Sequence, residues 1–262
     1  MVIEGRYVMR HMTRRYFLLS SAAFPAACAM HRAGVPAAKP GGVVRAPQVG
    51  QSWRYAKHDL ITRTVLDIEV NQVSAVGATV AIESRTDDGA AAKSAAASWG
   101  VGWLRRYFRH DKPDGPLPGE VQAPWGSILV DPHWGHIQAY EAPLPLWPSE
   151  LRPGWKRRVQ SKYKTDESDR ELRWDLTMKA ESWETIDVPA GQFKVLRYVN
   201  SILFRDADPA RKDSKRHETV WFAPEIGRWV ARESSGSYYL DDSVDDRQQN
   251  AIGFRWELLG WT

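Results

Sequence analysis

From Leu172 to Glu181 apolar and polar residues alternate without a break. Leu172, Trp174, Leu176, Met178 and Ala180 take one side, and Arg173, Asp175, Thr177, Lys179 and Glu181 the other. A period of two places each set on its own face of a strand, whereas on a helix the same charges would be scattered around the axis. The pattern recurs upstream. Leu66, Ile68 and Val70 oppose Asp67, Glu69 and Asn71, Val80 and Ile82 continue it, and Val159, Ser161 and Tyr163 alternate with polar neighbours. The chain therefore reads as mainly β, a broad curled antiparallel sheet of half-barrel kind with few or no long helices and one solvated face.

Turn chemistry divides the alternating runs. Gly77, Asp87-Asp88-Gly89, Asp166–Asp169, Pro189-Ala190-Gly191 and the charged run Asp206–Lys215 each break a strand. Between Thr219 and Arg232 two apolar runs flank Ala223-Pro224-Glu225-Ile226-Gly227, which predicts a hairpin with a loop longer than two residues. Trp221 and Trp229 on its arms are too large to leave in water. The Ala-rich stretch 89–98 fits either two or three helical turns or an exposed loop. Nine prolines between 111 and 155 exclude a long helix there and predict a connection with one short strand near Ser127–Val130. Gly50-Gln51-Ser52-Trp53 and Gly154-Trp155-Lys156-Arg157 each open a strand, so the domain, 49–262, divides into a first meander (49–110), a Pro-rich connection (111–153) and a second meander (154–262). The two meanders are either an old duplication or merely alike.

The formal charge is +4, but four of the 36 basic residues and one of the 32 acidic ones fall within 1–28, which leaves 32 against 31. The body of the chain has no bias toward nucleic acid. Its basic beginning leads into the apolar run Tyr16–Phe24, too short to span a bilayer. Thr13-Arg14-Arg15-Tyr16-Phe17-Leu18 resembles the twin-arginine export signal, with Arg14, Arg15 and Phe17 at the positions that signal uses. An ordinary secretory signal with a chance arginine pair is the alternative. Residues 29–48 carry Ala, Gly and three prolines without periodicity and read as a flexible tether.

Cys28 is the only cysteine, so the chain has no internal disulfide. Pro25-Ala26-Ala27-Cys28 resembles the lipobox of bacterial lipoproteins, with Pro25 where an aliphatic residue is usual. The resemblance implies acylation of Cys28 and anchoring to a membrane surface, with the outer membrane as the expected address. Ala27-Cys28-Ala29 also fits simple cleavage after Ala29, which would leave a soluble periplasmic protein.

Val188-Pro189-Ala190-Gly191-Gln192-Phe193, followed by Glu218 through Gly227, resembles a signature of exported bacterial β-sheet proteins with the pattern V-P-A-G-x-F and then E-x-x-W-Y/F-A-P-E-V/I-G. The match covers roughly residues 150–235. It implies a curled sheet distantly like the half-barrel of the lipoprotein-localisation factors, and it brings no catalytic residues with it.

No G-x-S-x-G, G-x-x-x-x-G-K or G-x-G-x-x-G occurs, so no nucleophile elbow or nucleotide loop is expected, nor any cofactor. Asp131, His133 and His136 could offer three ligands to a metal, which makes a metal-dependent enzyme the alternative reading. Pro132 and Gly135 allow only a loop there, and a wet aromatic loop is the expectation. Glu218, His217 and Glu225 could form an acid–base set, but glutamates on a hairpin are usually on the surface. Trp174, Trp183, Trp221 and Trp229 could line an apolar cleft or stack on sugar rings, although aromatics on a curled sheet more often form its core. Trp99, Trp103, Trp125, Trp134 and Trp147 lie in the Pro-rich half and are candidates for an exposed contact surface. The reading is an exported envelope protein with a non-catalytic binding or structural role. Its ligand would be apolar, a glycan or a partner protein.

Overall fold

A computed structural model describes residues 42–87, 119–134, 136–166, 168–240 and 248–262. Arg14, Arg15, Phe17 and Cys28 lie outside the described residues, as do Trp99, Trp103 and the Ala-rich stretch.

Among the described residues twelve antiparallel strands follow one another: β1 (Ser52–Asp59), β2 (Val65–Val76), β3 (Val80–Thr86), β4 (Glu120–Gln122), β5 (Ser127–Asp131), β6 (Gln138–Pro145), β7 (Lys156–Thr165), β8 (Ser168–Val188), β9 (Gly191–Arg205), β10 (Arg211–Ala223), β11 (Arg228–Leu240) and β12 (Gln248–Trp261). Each pairs with its neighbours in sequence, and β12 pairs with β1 from Trp53↔Trp261 to Asp59↔Phe254. The mainly β, antiparallel expectation holds, and the curl goes further than a half-barrel: the sheet closes on itself. Closure removes both sheet edges. It depends on pairing between strands some two hundred residues apart, which local periodicity does not encode.

The alternation in β8 sets inside and outside. Leu172, Trp174, Leu176, Met178 and Ala180 are all buried, while Arg173 and Lys179 are exposed. The polar outward row differs from the apolar band of a barrel that spans a membrane by its strands. Twelve strands enclose more space than the eight whose side chains just fill a barrel. Large aromatics occupy the excess: Trp53, Tyr55, Tyr163, Tyr198 and Phe222 are almost wholly buried.

The Pro-rich region contributes three strands rather than one. β4 and β6 join the expected β5. β6 pairs with β7 only over Gln138–Tyr140, so Pro143 and Pro145, beyond that stretch, remove no donor from that ladder. Trp125, Trp134 and Trp147, expected on an exposed surface, are partly buried against the core clusters. Trp125 donates to the Arg45 carbonyl at 3.1 Å, and Trp147 stacks on Phe222 with centroids 4.7 Å apart.

Gly50 and Gly154 share one geometry. Each takes a left-handed φ, 87° and 82°. The Gly50 amide donates to Val73 O and the Val73 amide returns to Gln51 O, at 2.9 and 2.8 Å. Gly154 donates to Ala180 O, and Ala180 returns to Trp155 O, at 3.0 and 2.8 Å. Both meanders therefore open with the same clasp onto their second strand.

The two parts of the V-P-A-G-x-F and W-F-A-P-E-I-G signature meet in space. Val188 and Phe193 share a core cluster with Ala223 and Ile226. The β8–β9 turn reaches β12, where the Ala190 amide donates to Leu258 O at 3.0 Å. Pro224–Ile226 forms a single 3-10 turn stopped by Gly227 at φ 67°. That turn sits at the lower rim of the barrel, where its Ile226 carbonyl accepts from Gln51 Nε2 and Trp53 Nε1. Residues 42–48, the described end of the segment read as a tether, reach the same rim. There the Arg45 amide donates to Pro224 O at 2.8 Å.

Candidate functional site

Two places on the barrel have the chemistry of a site: a charged cluster inside and a polar groove outside.

Along β10, Arg216, Glu218, Val220 and Phe222 share one face, and the last two are deep in the core. Period two carries Arg216 and Glu218 inside with them. Glu218, expected on the surface, is 2% exposed. Cross-strand pairing places Arg232 opposite Val220 and Asn200 opposite Glu218, and both reach the carboxylate, Arg232 Nη2 at 2.9 Å and Asn200 Nδ2 at 3.0 Å. Arg228 spans the barrel to Glu120 on β4 with two bonds of 3.1 and 2.8 Å. Burial disfavours the Glu120 anion, but the Arg228 charge and its hydrogen bonds outweigh this and hold the carboxyl below its ordinary range.

The β5–β6 loop folds into the upper mouth of the barrel onto these arginines. It is a plug rather than a wet loop. Asp131 organises it: one carboxylate oxygen accepts from the His133 amide at 3.0 Å and pairs with His133 Nδ1 at 2.8 Å, and the other accepts from Trp134 Nε1 at 2.8 Å. Trp134 then lies under Arg216, whose guanidinium carbon is 3.4 Å from the ring centroid, and beside Arg232 at 4.8 Å. Such desolvated cation–π contacts are worth about 2 kcal/mol each. Burial pulls the His133 pKa down, but the Asp131 hydrogen bond and the nearby Asp131 and Glu120 charges more than offset it, so the pKa is raised. The same bond holds Asp131 well below the usual carboxylate range against its own burial.

Asp131 spends its two oxygens on its own loop, and among the described residues no three of His, Cys, Asp and Glu come together as a metal site. His217 and Glu218, adjacent in sequence, face opposite sides of the wall, and Glu225 is at the lower rim, so the three are not brought together. What the cluster encloses is a cavity of about 20 Å³, lined by Glu120, Asp131, His133, Trp229, Arg228 and Arg232 among others. This is room for about one water molecule.

The four tryptophans singled out in the sequence separate. Trp174 is in the core, edge-on to Tyr140 and Tyr163. Trp229 stacks on Tyr55 at 3.8 Å and lines the inner cavity. Trp183 and Trp221 are partly buried, and Trp221 Nε1 donates to Glu184 Oε1.

The groove outside measures about 870 Å³ and runs across β7 to β12. Two cross-strand rows build it. Arg158, Thr177, Ser201, His217 and Ser235 are successive partners in one, and Asp175, Leu203, Lys215, Ser237 and Asn250 in the next. Hydroxyls, amides and cations line it, over a surface to which apolar atoms contribute the larger share, with Asp175 held by Arg158 at 3.1 and 3.2 Å. Sequence reasoning passed over this groove because its residues come from six strands, two or three from each.

No protein-family model matches this chain, and no curated protein does. Solved structures resemble it, among them the following three. A Bacteroides fragilis protein described as exported and of YmcC-like fold has a TM-score of 0.48 and 11% identity, over 84% of this chain and 99% of that one. A Parabacteroides distasonis protein described as a lipoprotein has a TM-score of 0.39 and 11% identity over the same shares. The Escherichia coli protein YmcC, described as a lipoprotein, has a TM-score of 0.38 and 9% identity, over 84% and 90%.

Proposed function

We propose that this chain is a non-catalytic binding protein of the bacterial envelope. In this reading it is exported through its Arg14-Arg15-x-Phe17 signal, acylated at Cys28 and held on the periplasmic face of the outer membrane. The ligand is bound outside the barrel. The contrast in space carries this: among the described residues the cavity at the inner charged cluster holds about 20 Å³, whereas the outer groove offers about 870 Å³, a size that suits small ligands. An apolar cargo in the manner of the half-barrel carriers does not fit the inner cavity that the described residues enclose.

The groove is lined by Ser201, Ser235, Ser237, Thr177, Gln248 and Asn250, with Lys215 and His217 among them. Such groups, set over a largely apolar floor, suit a glycan, whose rings have hydroxyl edges and apolar faces. A protein partner presenting polar side chains is the other occupant the groove fits. The membrane surface is the second partner, through the anchor at Cys28. Metal-dependent catalysis on Asp131, His133 and His136 is not favoured by any observation, since Asp131 is engaged by the loop itself.

The test separates address from binding. Arg14→Lys with Arg15→Lys should leave precursor in the cytoplasm, and Cys28→Ser should move mature protein from the membrane to the soluble fraction. Native mass spectrometry of protein extracted from its own membrane should show the acyl mass and a co-purifying ligand. His217→Ala with Lys215→Ala should lose that ligand without loss of fold. Retention of the ligand by the double variant would sink the groove reading, and a mature N-terminus at Met30 would sink acylation.

A further inference from the structure

The charged cluster inside the barrel has donors left over, and they line a small cavity. Arg228 gives Nη1 and Nη2 to Glu120, and its Nε has no partner. Arg232 gives Nη2 to Glu218, and its Nε has none either. His133 gives Nδ1 to Asp131 and leaves Nε2 without one. The Arg228 side chain is 4% exposed, so water outside the barrel does not reach it. All three residues line the same cavity of about 20 Å³. Leaving a buried donor unpaired is costly, more so when it is charged.

Charge agrees with geometry. Among the described residues, the carboxylates of this cluster are Glu120, Asp131 and Glu218, and its guanidiniums are Arg216, Arg228 and Arg232. With His133 protonated, as its hydrogen bond to Asp131 favours, the set carries one positive charge in excess. The next ion pair out, Lys57 and Glu69 at 3.8 Å, adds nothing net. We propose that the cavity is a binding site for a single monatomic anion of halide size, held by His133 Nε2, Arg228 Nε and Arg232 Nε. Its size excludes phosphate, sulfate and carboxylates. A neutral water could accept from only two of the three donors and would leave the excess charge unmet.

Such an anion would link the plug to the wall, since His133 belongs to the β5–β6 loop and both arginines to β11. Chloride binding only the folded state should then raise the melting temperature by mass action, by roughly 5 °C or more between sub-millimolar and half-molar chloride. The measurement is thermal unfolding of the mature protein at pH 6 and constant ionic strength, with chloride exchanged for gluconate. The expected result is a saturable rise for chloride and bromide that disappears in His133→Gln and persists in Glu171→Gln, an exposed change at a residue outside the cavity lining. Crystals grown in bromide should show an anomalous peak in the cavity, and this arm does not depend on any variant folding. Equal melting in chloride and gluconate, or a cavity holding water with no bromide signal, overturns the proposal.

Discussion

Arg228 and Glu120 close a two-bond ion pair across the inside of the barrel, 108 residues apart in sequence, with both side chains less than 5% exposed. It fastens the short strand β4 to the long hairpin of β10 and β11. Removing one partner strands a charge where water cannot reach it, whereas removing both leaves only a packing change.

Glu120→Leu alone should therefore cost about 3–5 kcal/mol, and Arg228→Met alone a similar amount. The double change Glu120→Leu with Arg228→Met should recover most of that loss. Urea unfolding of the three variants checks this. Single-variant losses that simply add in the double would mean that the pair is not energetically coupled.

The Asp131–His133 pair sets the pH response. His133 has a raised folded pKa, so its contribution is full below the unfolded value near 6.5 and is lost as pH rises through the folded one. Asp131 has a lowered folded pKa, so its contribution is full above about pH 4 and is lost as pH falls through the folded value. Stability should peak between these limits and decline on both sides. His133→Asn should flatten the alkaline decline and also shrink the acid one, because the His133 bond and charge are the main causes that hold Asp131 down. Melting temperature against pH for the two proteins shows whether it does.

Gly227 ends the 3-10 turn at φ 67°, and a Cβ there would come within 2.8 Å of Arg45 O. Gly227→Ala suffers twice, from the left-handed backbone and from the clash with the segment that docks on the lower rim. Gly154→Ala has a similar φ, 82°, but meets nothing within 4 Å. The expected order of destabilisation is Gly227→Ala above Gly154→Ala, and circular-dichroism melts decide it. Equal losses would show that the docked segment contributes nothing.

The strands of the second meander were legible because their burial is one-sided: Leu172 to Ala180 inside, Arg173 to Glu181 outside. The same logic, carried further, would have found part of the site. Val220 and Phe222 set the phase of β10, and counting back by twos puts Glu218 and Arg216 on the core face. Their charge argued against that, because buried charges are rare unless paired, and the partners Arg232 and Asn200 come from other strands. β4 was hidden by its three residues and β6 by its prolines. Barrel closure and the outer groove depend on register across strands, which no single stretch of sequence records. The plug was read as solvent-exposed because Pro132 and Gly135 signal a loop, and a loop signal does not say which way the loop points.

Trp134 joins plug and cluster, so its removal tests both. The ring covers Arg216 at 3.4 Å, lies beside Arg232 and meets Trp256 edge-on at 6.3 Å. Its Nε1 takes one oxygen of Asp131. Trp134→Ala loses these contacts and opens a hole over two guanidiniums, and truncation of a buried Trp costs about 3–5 kcal/mol where the site cannot collapse. Trp134 is only partly buried, so about 2–3 kcal/mol is the expectation. Trp134→Phe keeps the ring face for the arginines but loses the bond to Asp131, and should cost less than half as much. Trp221, half-buried on the wall with one bond to Glu184, should tolerate Ala better than Trp134 does. Chemical unfolding of the three variants gives the ranking. Amide exchange on the Trp134 variant should show faster exchange of the His133 and Ile137 amides, while β8 and β9 stay protected. If Trp134→Ala melts like the wild type and the loop amides are no faster, the plug is not anchored through this ring.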